Sequence, residues 1–289
     1  MRSPDTLSVP APLADRTFGS VLRLPVKPLT RQTVVIRLLL LVLAVTTIYA
    51  FTTIDYDGID LVKAVADTLA NLKIIFLDPG GPRLSFFMAL YEVIITLGLA
   101  FLSTLFGGAI ALFLGLLGAQ NLAPKFVTNI VKVFVAFIRA VPTILWVLIF
   151  AVTAGLGAAA AVIGMTFHSI SYLTKAYAES FEDLDRSVIE ALKASGANWW
   201  QIVFQAVIPS SSTYLLSWTF LRFEMNFANA VAMGAAAGAS GVGFDLFMAS
   251  GYYFDLREVG LITYLILAFA LALETIATRL KSRIKDHHA

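Results

Sequence analysis

Long apolar stretches alternate with polar segments along the whole chain. A helix needs about 20 mostly apolar residues to cross the roughly 30 Å hydrocarbon core of a bilayer. Six stretches meet that requirement, and they cover residues 34–54, 86–118, 127–153, 156–177, 210–233 and 259–279. The pattern therefore predicts an all-α polytopic membrane protein with six transmembrane helices.

The composition agrees with a membrane protein and excludes several other classes. Hydrophobic residues make up 58% of the 289 residues and charged residues only 14%, whereas a soluble domain has about 25% charged residues. The chain has no cysteine, which excludes a disulfide framework and a thiolate metal site. A net charge of +2 is too small to indicate nucleic acid as a partner.

The distribution of lysine and arginine predicts the orientation. Cytoplasmic loops carry an excess of these residues, and most of them fall in segments that are internal if the N-terminus is inside. The basic residues left in the predicted external segments are Lys63, Lys73, Arg83 and Arg257. We therefore expect a multi-pass protein of a bacterial-type cell membrane with both termini cytoplasmic, including a polar cytoplasmic tail over residues 1–33.

Two predicted external segments have their own patterns. Residues 55–85 contain Leu61, Val65, Leu69 and Leu72 at helical spacing, which predicts an amphipathic helix along the outer membrane surface. The small-residue tract that follows the fifth stretch contains Gly234, Gly238, Gly241 and Gly243. So many glycines disfavour a straight helix and allow either close helix contact or an unwound, re-entrant backbone.

The predicted cytoplasmic loop over residues 178–209 is unusually long. Ser180 is expected to cap a helix whose apolar stripe comprises Leu184, Val188, Ala191 and Leu192. Gly196 ends that helix, Asn198 caps a short second helix containing Trp199 and Trp200, and Pro209 begins the next span. By pattern alone, this element could also be an amphipathic hairpin on the inner leaflet.

Polar residues inside the predicted spans are candidates for function. Arg222, Asn226 and Asn229 fall at i, i+4 and i+7 and form one stripe. A guanidinium and amides suit a passing oxyanion, although Arg222 could instead be neutralised by Glu224 or Glu92. Arg139, beside Pro142, could line the same path or serve in packing.

The loop carries a recognisable motif. In this chain the motif consists of Glu190-Ala191-Leu192, then Gly196 after three further residues, then Pro209 after twelve more. It resembles the "EAA" signature of ABC importer permeases. With Arg222-Phe-Glu-Met-Asn226 and the glycine tract, residues 84–284 resemble the membrane subunit of a phosphonate-type importer. The family often has a further arginine where this chain has Ala228, so phosphonate, phosphite and phosphate all remain open as cargo.

The resemblance implies a type I importer fold with a transmembrane domain over residues 86–284, preceded by a first helix and outer segment over 34–85. It implies that a coupling helix, centred on Glu190 through Gly196 and helped by Trp199, Trp200 and Pro209, docks in a cytoplasmic ATPase. The expected partners are a second permease copy or paralogue, two ATPase subunits and an external binding protein. ATP and Mg are expected on the ATPase, because this chain has no phosphate-binding loop, and no cofactor or metal is expected here.

In that scheme the glycine tract is expected to act as a gate or hinge. The residues expected along the translocation path are Arg222, Glu224, Asn226, Asn229 and Arg139. The alternative is an ion-coupled secondary transporter of a small anion, for which Glu92, Glu224 and Glu274 are the candidate carboxylates. A membrane-embedded enzyme would need a nucleophile–base pair or paired metal ligands, and the lone in-span His168 supplies neither.

Overall fold

The computed structural model describes residues 30–54, 58 and 60–286, and the chain is helical throughout these ranges apart from short connections. The helices are α1 (Arg31–Thr53), α2 (Leu61–Leu77), α3 (Phe86–Gly118), α4 (Lys125–Ala140), α5 (Thr143–Ala154), α6 (Ala158–Glu182), α7 (Arg186–Ala194), α8 (Trp199–Ile202), α9 (Ile208–Ala237), α10 (Val242–Phe247) and α11 (Leu256–Asp286). This confirms the all-α prediction. Most of the predicted tail over residues 1–33 lies outside the described residues.

The chain divides into two compact units, residues 1–61 and 62–289. In the first unit, α1 carries apolar side chains on all faces, and none of its residues is buried. The Thr30 hydroxyl caps the helix by accepting a hydrogen bond from the Thr33 amide at 3.3 Å. A helix that is apolar all round suits a lipid environment, and its bounds agree with the stretch predicted at residues 34–54.

In the second unit, α6 packs against α3, α4, α5 and α9. Small residues allow the closest crossings: a Cβ atom on Gly107 of α3 would overlap Ser169 of α6, and one on Gly164 would lie 2.6 Å from the Val147 backbone of α5. Membrane helices commonly use small residues in this way, because backbones can then approach closely. The result is a tight bundle around α6.

The third predicted span, residues 127–153, is not one straight helix. It is divided into α4 and α5, which meet at an angle of 85°. Pro142 is responsible, because proline disfavours helical geometry in the preceding residue and donates no backbone hydrogen bond. Val141 accordingly has an extended backbone, and Pro142 caps α5.

The predicted helix start at Ser180 is also wrong. Ser180 lies inside α6 and is buried, and its hydroxyl donates to the Ala176 carbonyl at 2.8 Å. The next helix starts at Asp185, whose side chain accepts a hydrogen bond from the Ser187 amide at 2.9 Å. This hydrogen bond lowers the pKa of the Asp185 carboxyl below its usual value. Packing of Ser180 against the bundle thus overrides its local capping tendency.

Among the residues that the structure describes, three helices are long and apolar enough to cross a membrane: α1, α3 and the 256–279 part of α11. The number rises to five if each of two bent pairs is counted as one span. These pairs are α4 with α5, and residues 199–237 with residues 242–252. α6, at the fourth predicted span, is less apolar, but most of its residues are covered by neighbouring helices. The count of six spans therefore stays a prediction.

The amphipathic helix expected after residue 60 is confirmed as α2, while its placement on the outer membrane surface stays a prediction. Its C-terminal end is attached to α11, because Tyr264 donates to the Phe76 carbonyl at 2.7 Å. Just beyond α2, Asp78 forms an ion pair with Arg257 at 2.6 Å. The buried Glu258 carboxylate accepts hydrogen bonds from the amides before α3. Asp78 and Arg257, which form the ion pair, both lie in segments that the charge pattern predicts to be external.

Candidate functional site

A buried polar cluster lies in the middle of the bundle and is centred on Arg222 of α9. The Arg222 side chain is fully buried, and its Nε donates to the Ser169 hydroxyl at 3.0 Å. Its Nη1 and Nη2 atoms are buried without a hydrogen-bond partner among the described residues. The guanidinium carbon lies 5.4 Å from the centre of the Tyr172 ring.

Asn226, one turn further along α9, belongs to the same cluster. Its Nδ2 donates to Thr104 of α3 and to Ser169 of α6, both at 2.8 Å. Ser169 in turn donates to the Met165 carbonyl at 2.9 Å, so this hydroxyl accepts from both Arg222 and Asn226. Thr104 lies near the middle of the 33-residue α3, which places the cluster about halfway along the bundle.

The predicted stripe is reproduced only in part. Arg222 and Asn226 are brought together, whereas Asn229, one further turn along the helix, is half-buried outside the cluster. Glu224 is half-buried and forms no ion pair with Arg222 in the described structure. Glu92, the other suggested counter-ion, instead accepts a hydrogen bond from the Gly241 amide at 2.8 Å. The described structure therefore offers no carboxylate partner to Arg222.

Arg139 is separate from this cluster. It lies in the last turn of α4, just before the bend at Pro142, and its side chain is exposed. It lines a cavity of 680 Å³ between α3, α4 and α6. A place for Arg139 along the transport path therefore stays a prediction.

The segment expected to couple to an ATPase forms two helices, α7 and α8, joined at Gly196. Gly196 has a φ of +85°, in the left-handed region that glycine adopts most easily. The following Ala197 amide donates back to the Leu192 carbonyl at 3.0 Å, as is typical of a helix end. Asn198 and Gln201 form a reciprocal capping box at the start of α8. The predicted helix stop and the second helix are both confirmed.

The buried face of α7 differs from the predicted stripe. Ile189 is its buried residue, and Leu184 and Leu192 are half-buried beside it. Val188 and Ala191, which the sequence placed in the stripe, are exposed. α7 begins only at Arg186 and has nine residues. So short a helix buries little more than one turn against its neighbour, and fewer positions are buried than the stripe predicted.

The exposed side of α7 and α8 includes the motif residues. Glu190 and Ala191 are exposed, as is Trp200, with 54% of its surface accessible. Trp199 is half-buried and donates from Nε1 to the Leu122 carbonyl at 3.0 Å. This hydrogen bond attaches α8 to the turn between α3 and α4.

Pro209 is confirmed at the beginning of α9, although no break separates α9 from the preceding helix. α8 continues through one π-helical turn, Val203–Val207, directly into α9 at Ile208. Pro209 lies in the first turn of α9, where its missing amide is tolerated beside the irregular turn. Residues 199–237 therefore form a continuous helical rod, which joins the Trp199 end to Arg222.

The glycine tract contains a break in the helix and close helix contacts, whereas a re-entrant course of the backbone stays a prediction. The rod ends at Ala237, Gly238 is left-handed with a φ of +59°, and α10 leaves at an angle of 61°. A Cβ atom on Gly234 would lie 3.2 Å from the Phe244 amide, and one on Gly243 would overlap the Val231 carbonyl. The break is thus closely packed, and the role of Gly234, Gly238, Gly241 and Gly243 as a gate stays a prediction.

The start of α10 is held by α3. The amides of Gly241 and Val242 donate to the Glu92 carboxylate at 2.8 Å and the Thr96 hydroxyl at 2.9 Å. Carboxylates and hydroxyls stabilise helix N-termini in this way. Sequence reasoning missed this role of Glu92, as it missed Ser169 and Thr104, because each acts on a residue more than 50 positions away.

The crossing of α3 and α6 can be tested with Gly107→Ala. The new methyl group would overlap Ser169, so we expect the helices to separate at a cost of about 1–3 kcal/mol, with a lower unfolding midpoint for the purified chain. The adjacent Gly108→Ala is a matched control, because its Cβ would lie 3.5 Å from the Tyr177 hydroxyl, an ordinary contact. Equal unfolding midpoints for the two variants would contradict this description of the crossing.

Comparison with known proteins identifies the family. Residues 107–286 match the family described as "Binding-protein-dependent transport system inner membrane component". The phosphite transport system permease protein PtxC of Stutzerimonas stutzeri is 30% identical over 191 residues, which cover 66% of this chain and 69% of that protein. The phosphate-import permease protein PhnE of Mycolicibacterium smegmatis is 29% identical over 190 residues, covering 65% of this chain and 35% of that protein.

Solved structures show the same fold. The inward-facing MetNI methionine ABC transporter aligns with a TM-score of 0.59 at 21% identity, covering 68% of this chain and 94% of that one. An amino acid ABC transporter aligns with a TM-score of 0.55 at 16% identity, covering 78% and 99%. The importer permease fold expected from the motif is therefore confirmed. Since the family match covers more than half of the chain, this protein belongs to the inner-membrane components of binding-protein-dependent transport systems.

Proposed function

We propose that this chain forms the translocation pathway of an ATP-driven importer for a phosphonate-like oxyanion, namely phosphonate, phosphite or phosphate. An external binding protein delivers the oxyanion, and two separate cytoplasmic ATPase subunits, which hold ATP and Mg, supply the energy. The chain works with a second permease, either an identical copy or a paralogue. Its N- and C-termini face the cytoplasm, as the charge pattern predicts.

Arg222 is the observation that carries the proposal. A buried guanidinium is costly unless it is paired and hydrogen-bonded, yet two of its three nitrogens have no partner among the described residues. Those two nitrogens form the planar fork that suits the oxygens of a phosphorus oxyanion. Asn226 shares the Ser169 hydroxyl with Arg222, and the Tyr172 ring lies 5.4 Å from the guanidinium carbon.

The relatives support the substrate class. The names of two of them specify phosphite transport and phosphate import, respectively. A third, PhnE2 of Escherichia coli, is named as a putative cryptic phosphonate transport permease and is 28% identical over 120 residues. Phosphite, phosphate and phosphonate share a tetrahedral phosphorus with anionic oxygens, which is the chemistry that a guanidinium fork recognises.

The geometry of α7 and α8 supports the coupling role. Glu190, Ala191 and Trp200 are exposed at one end of the bundle, where an ATPase subunit can contact them. Ile189 and Ile202 anchor the two helices to the bundle through an apolar cluster that includes Phe181. Because α8 is continuous with α9, movement of the docked end is transmitted along the same rod to Arg222.

An uptake assay tests this proposal. The chain is reconstituted into liposomes with its ATPase subunits, and the loaded binding protein is added outside. We expect uptake of at least one labelled anion among phosphonate, phosphite and phosphate, and only when hydrolysable ATP is enclosed with the ATPase. ATP-independent uptake by the purified chain alone would instead favour an ion-coupled transporter.

A further inference from the structure

A cavity of 680 Å³ lies beside Arg139, and the Arg222 cluster does not use it. It lies between α3, α4 and α6, and Lys132, Arg139, Thr174 and Lys175 contribute to its lining. Gln120, at its edge, also lines a smaller cleft that contains Glu190 of α7. The cavity is therefore at the end of the bundle that carries α7 and α8.

The charges around the cavity are unequally satisfied. Lys175 is paired with Glu179 at 3.6 Å, and Glu182 accepts a hydrogen bond from the Gln120 amide at 2.8 Å. Lys132 and Arg139 have no carboxylate within ion-pair distance in the part of the chain that the structure describes. Lys132 and Arg139 are seven residues apart on α4, so they lie on the same helix face, about 10 Å from each other along the axis. Their side chains are long enough to reach one ligand between them.

Thr174 provides an independent indication of a ligand. It is 98% buried, since only 2% of its surface is accessible, and its hydroxyl has no hydrogen-bond partner among the described residues. Other buried threonines of this bundle donate to the carbonyl four residues earlier, as Thr104 and Thr166 do. A buried hydroxyl without a partner costs about 1–3 kcal/mol, and this one borders the cavity that also contains the two unpaired cations.

We propose that this cavity binds a phosphate-type oxyanion, held by the Lys132 ammonium, the Arg139 guanidinium and the Thr174 hydroxyl. The oxyanion has two possible sources. One source is the transported anion at the cytoplasmic end of its path, and this alternative rests on the function proposed above. The other is the phosphate of an anionic lipid headgroup. In either case the site is distinct from the Arg222 cluster, with which it shares none of its three ligand residues.

A binding experiment tests the cavity directly. The full-length chain is placed in phosphatidylcholine nanodiscs and titrated with radiolabelled inorganic phosphate. We expect Lys132→Gln/Arg139→Gln to weaken phosphate binding by at least about tenfold, as expected for the loss of charge-assisted hydrogen bonds. The double variant Lys73→Gln/Arg83→Gln removes the same two residue types from α2 and the α2–α3 connection, away from the cavity, and should bind as the unaltered chain does.

Thr174→Val serves as a second, milder variant. Valine has nearly the same shape and no hydroxyl, so the ligand-free chain should unfold at the same or a higher temperature, while phosphate stabilises it less than it stabilises the unaltered chain. A decrease in phosphate binding without loss of stability supports the site. An unchanged response to phosphate, with lipid retention also unchanged, overturns it.

A measurement of lipid binding distinguishes the two possible sources of the oxyanion. Native mass spectrometry of the chain from phosphatidylglycerol-containing membranes measures how much of this lipid is retained. Loss of retention in Lys132→Gln/Arg139→Gln, with no phosphate binding by any variant, assigns the site to a headgroup. If neither phosphate binding nor lipid retention depends on these residues, the inference is wrong. The proposed function fails by a different measurement, namely the absence of ATP-dependent uptake by the unaltered complex.

Discussion

Arg222→Gln is expected to reduce ATP-driven oxyanion uptake by about ten- to a hundredfold, which corresponds to the loss of a charged hydrogen-bonding partner worth about 1.5–3 kcal/mol. The assembled complex should still form. Because the buried Arg222 guanidinium has no carboxylate partner among the described residues, its removal should leave the unfolding midpoint of the chain unchanged or raise it. Uptake by reconstituted vesicles and the unfolding midpoint are the two measurements.

The combination of results distinguishes a transport role from a structural one. A structural arginine predicts a lower unfolding midpoint together with lower uptake, whereas a transport residue predicts lower uptake alone. Arg83→Gln is the matched control, because the Arg83 guanidinium also lies over a tyrosine ring, 4.0 Å from the centre of Tyr253, but outside the cluster. Normal uptake by Arg222→Gln would exclude contact between Arg222 and the cargo.

Gly196→Val is expected to decrease the ATP hydrolysis that loaded binding protein stimulates in the assembled complex by about tenfold. At a φ of +85°, a β-branched residue is strained by about 1–3 kcal/mol. The connection between α7 and α8 should relax to relieve the strain, and this would weaken the hydrogen bond from Trp199 to Leu122. The measurement is stimulated against unstimulated hydrolysis in proteoliposomes.

Two controls make that result specific. Gly155→Val introduces the same side chain at a φ of +90°, also with no neighbouring atom within 4 Å, but between α5 and α6. Gly196→Asn should retain most of the stimulation, because asparagine tolerates left-handed geometry. Full stimulation and normal ATPase binding by Gly196→Val would remove α7 and α8 from the proposed contact.

Several features of this site were predictable because they depend on residues close in sequence. The stop at Gly196 and the cap at Asn198 are examples, since each requires only neighbouring backbone groups. The proximity of Arg222 and Asn226 follows equally from their spacing on one helix. The apolar stretches were recognisable from composition alone.

Other features depend on packing between distant segments, and the sequence carried no signal for them. Ser169 and Thr104 are ordinary small polar residues whose importance arises because α3, α6 and α9 cross at one level. Ser180 has a local capping pattern, but burial against the bundle places it inside α6. At Pro142 the sequence indicates a disturbance and leaves open whether the helix kinks or breaks, so the 85° bend could not be derived from it.

The continuity of residues 199–237 has a geometrical consequence for alternating access. A helix of that length extends for about 60 Å, and its central part, from Ser211 to Asn226, packs against α6. A rigid bar that tilts about a central pivot swings its ends in opposite directions. A push on the tryptophan end would therefore displace the Gly238 end the other way, which is the kind of movement that the proposed importer needs to expose its pathway to one side at a time.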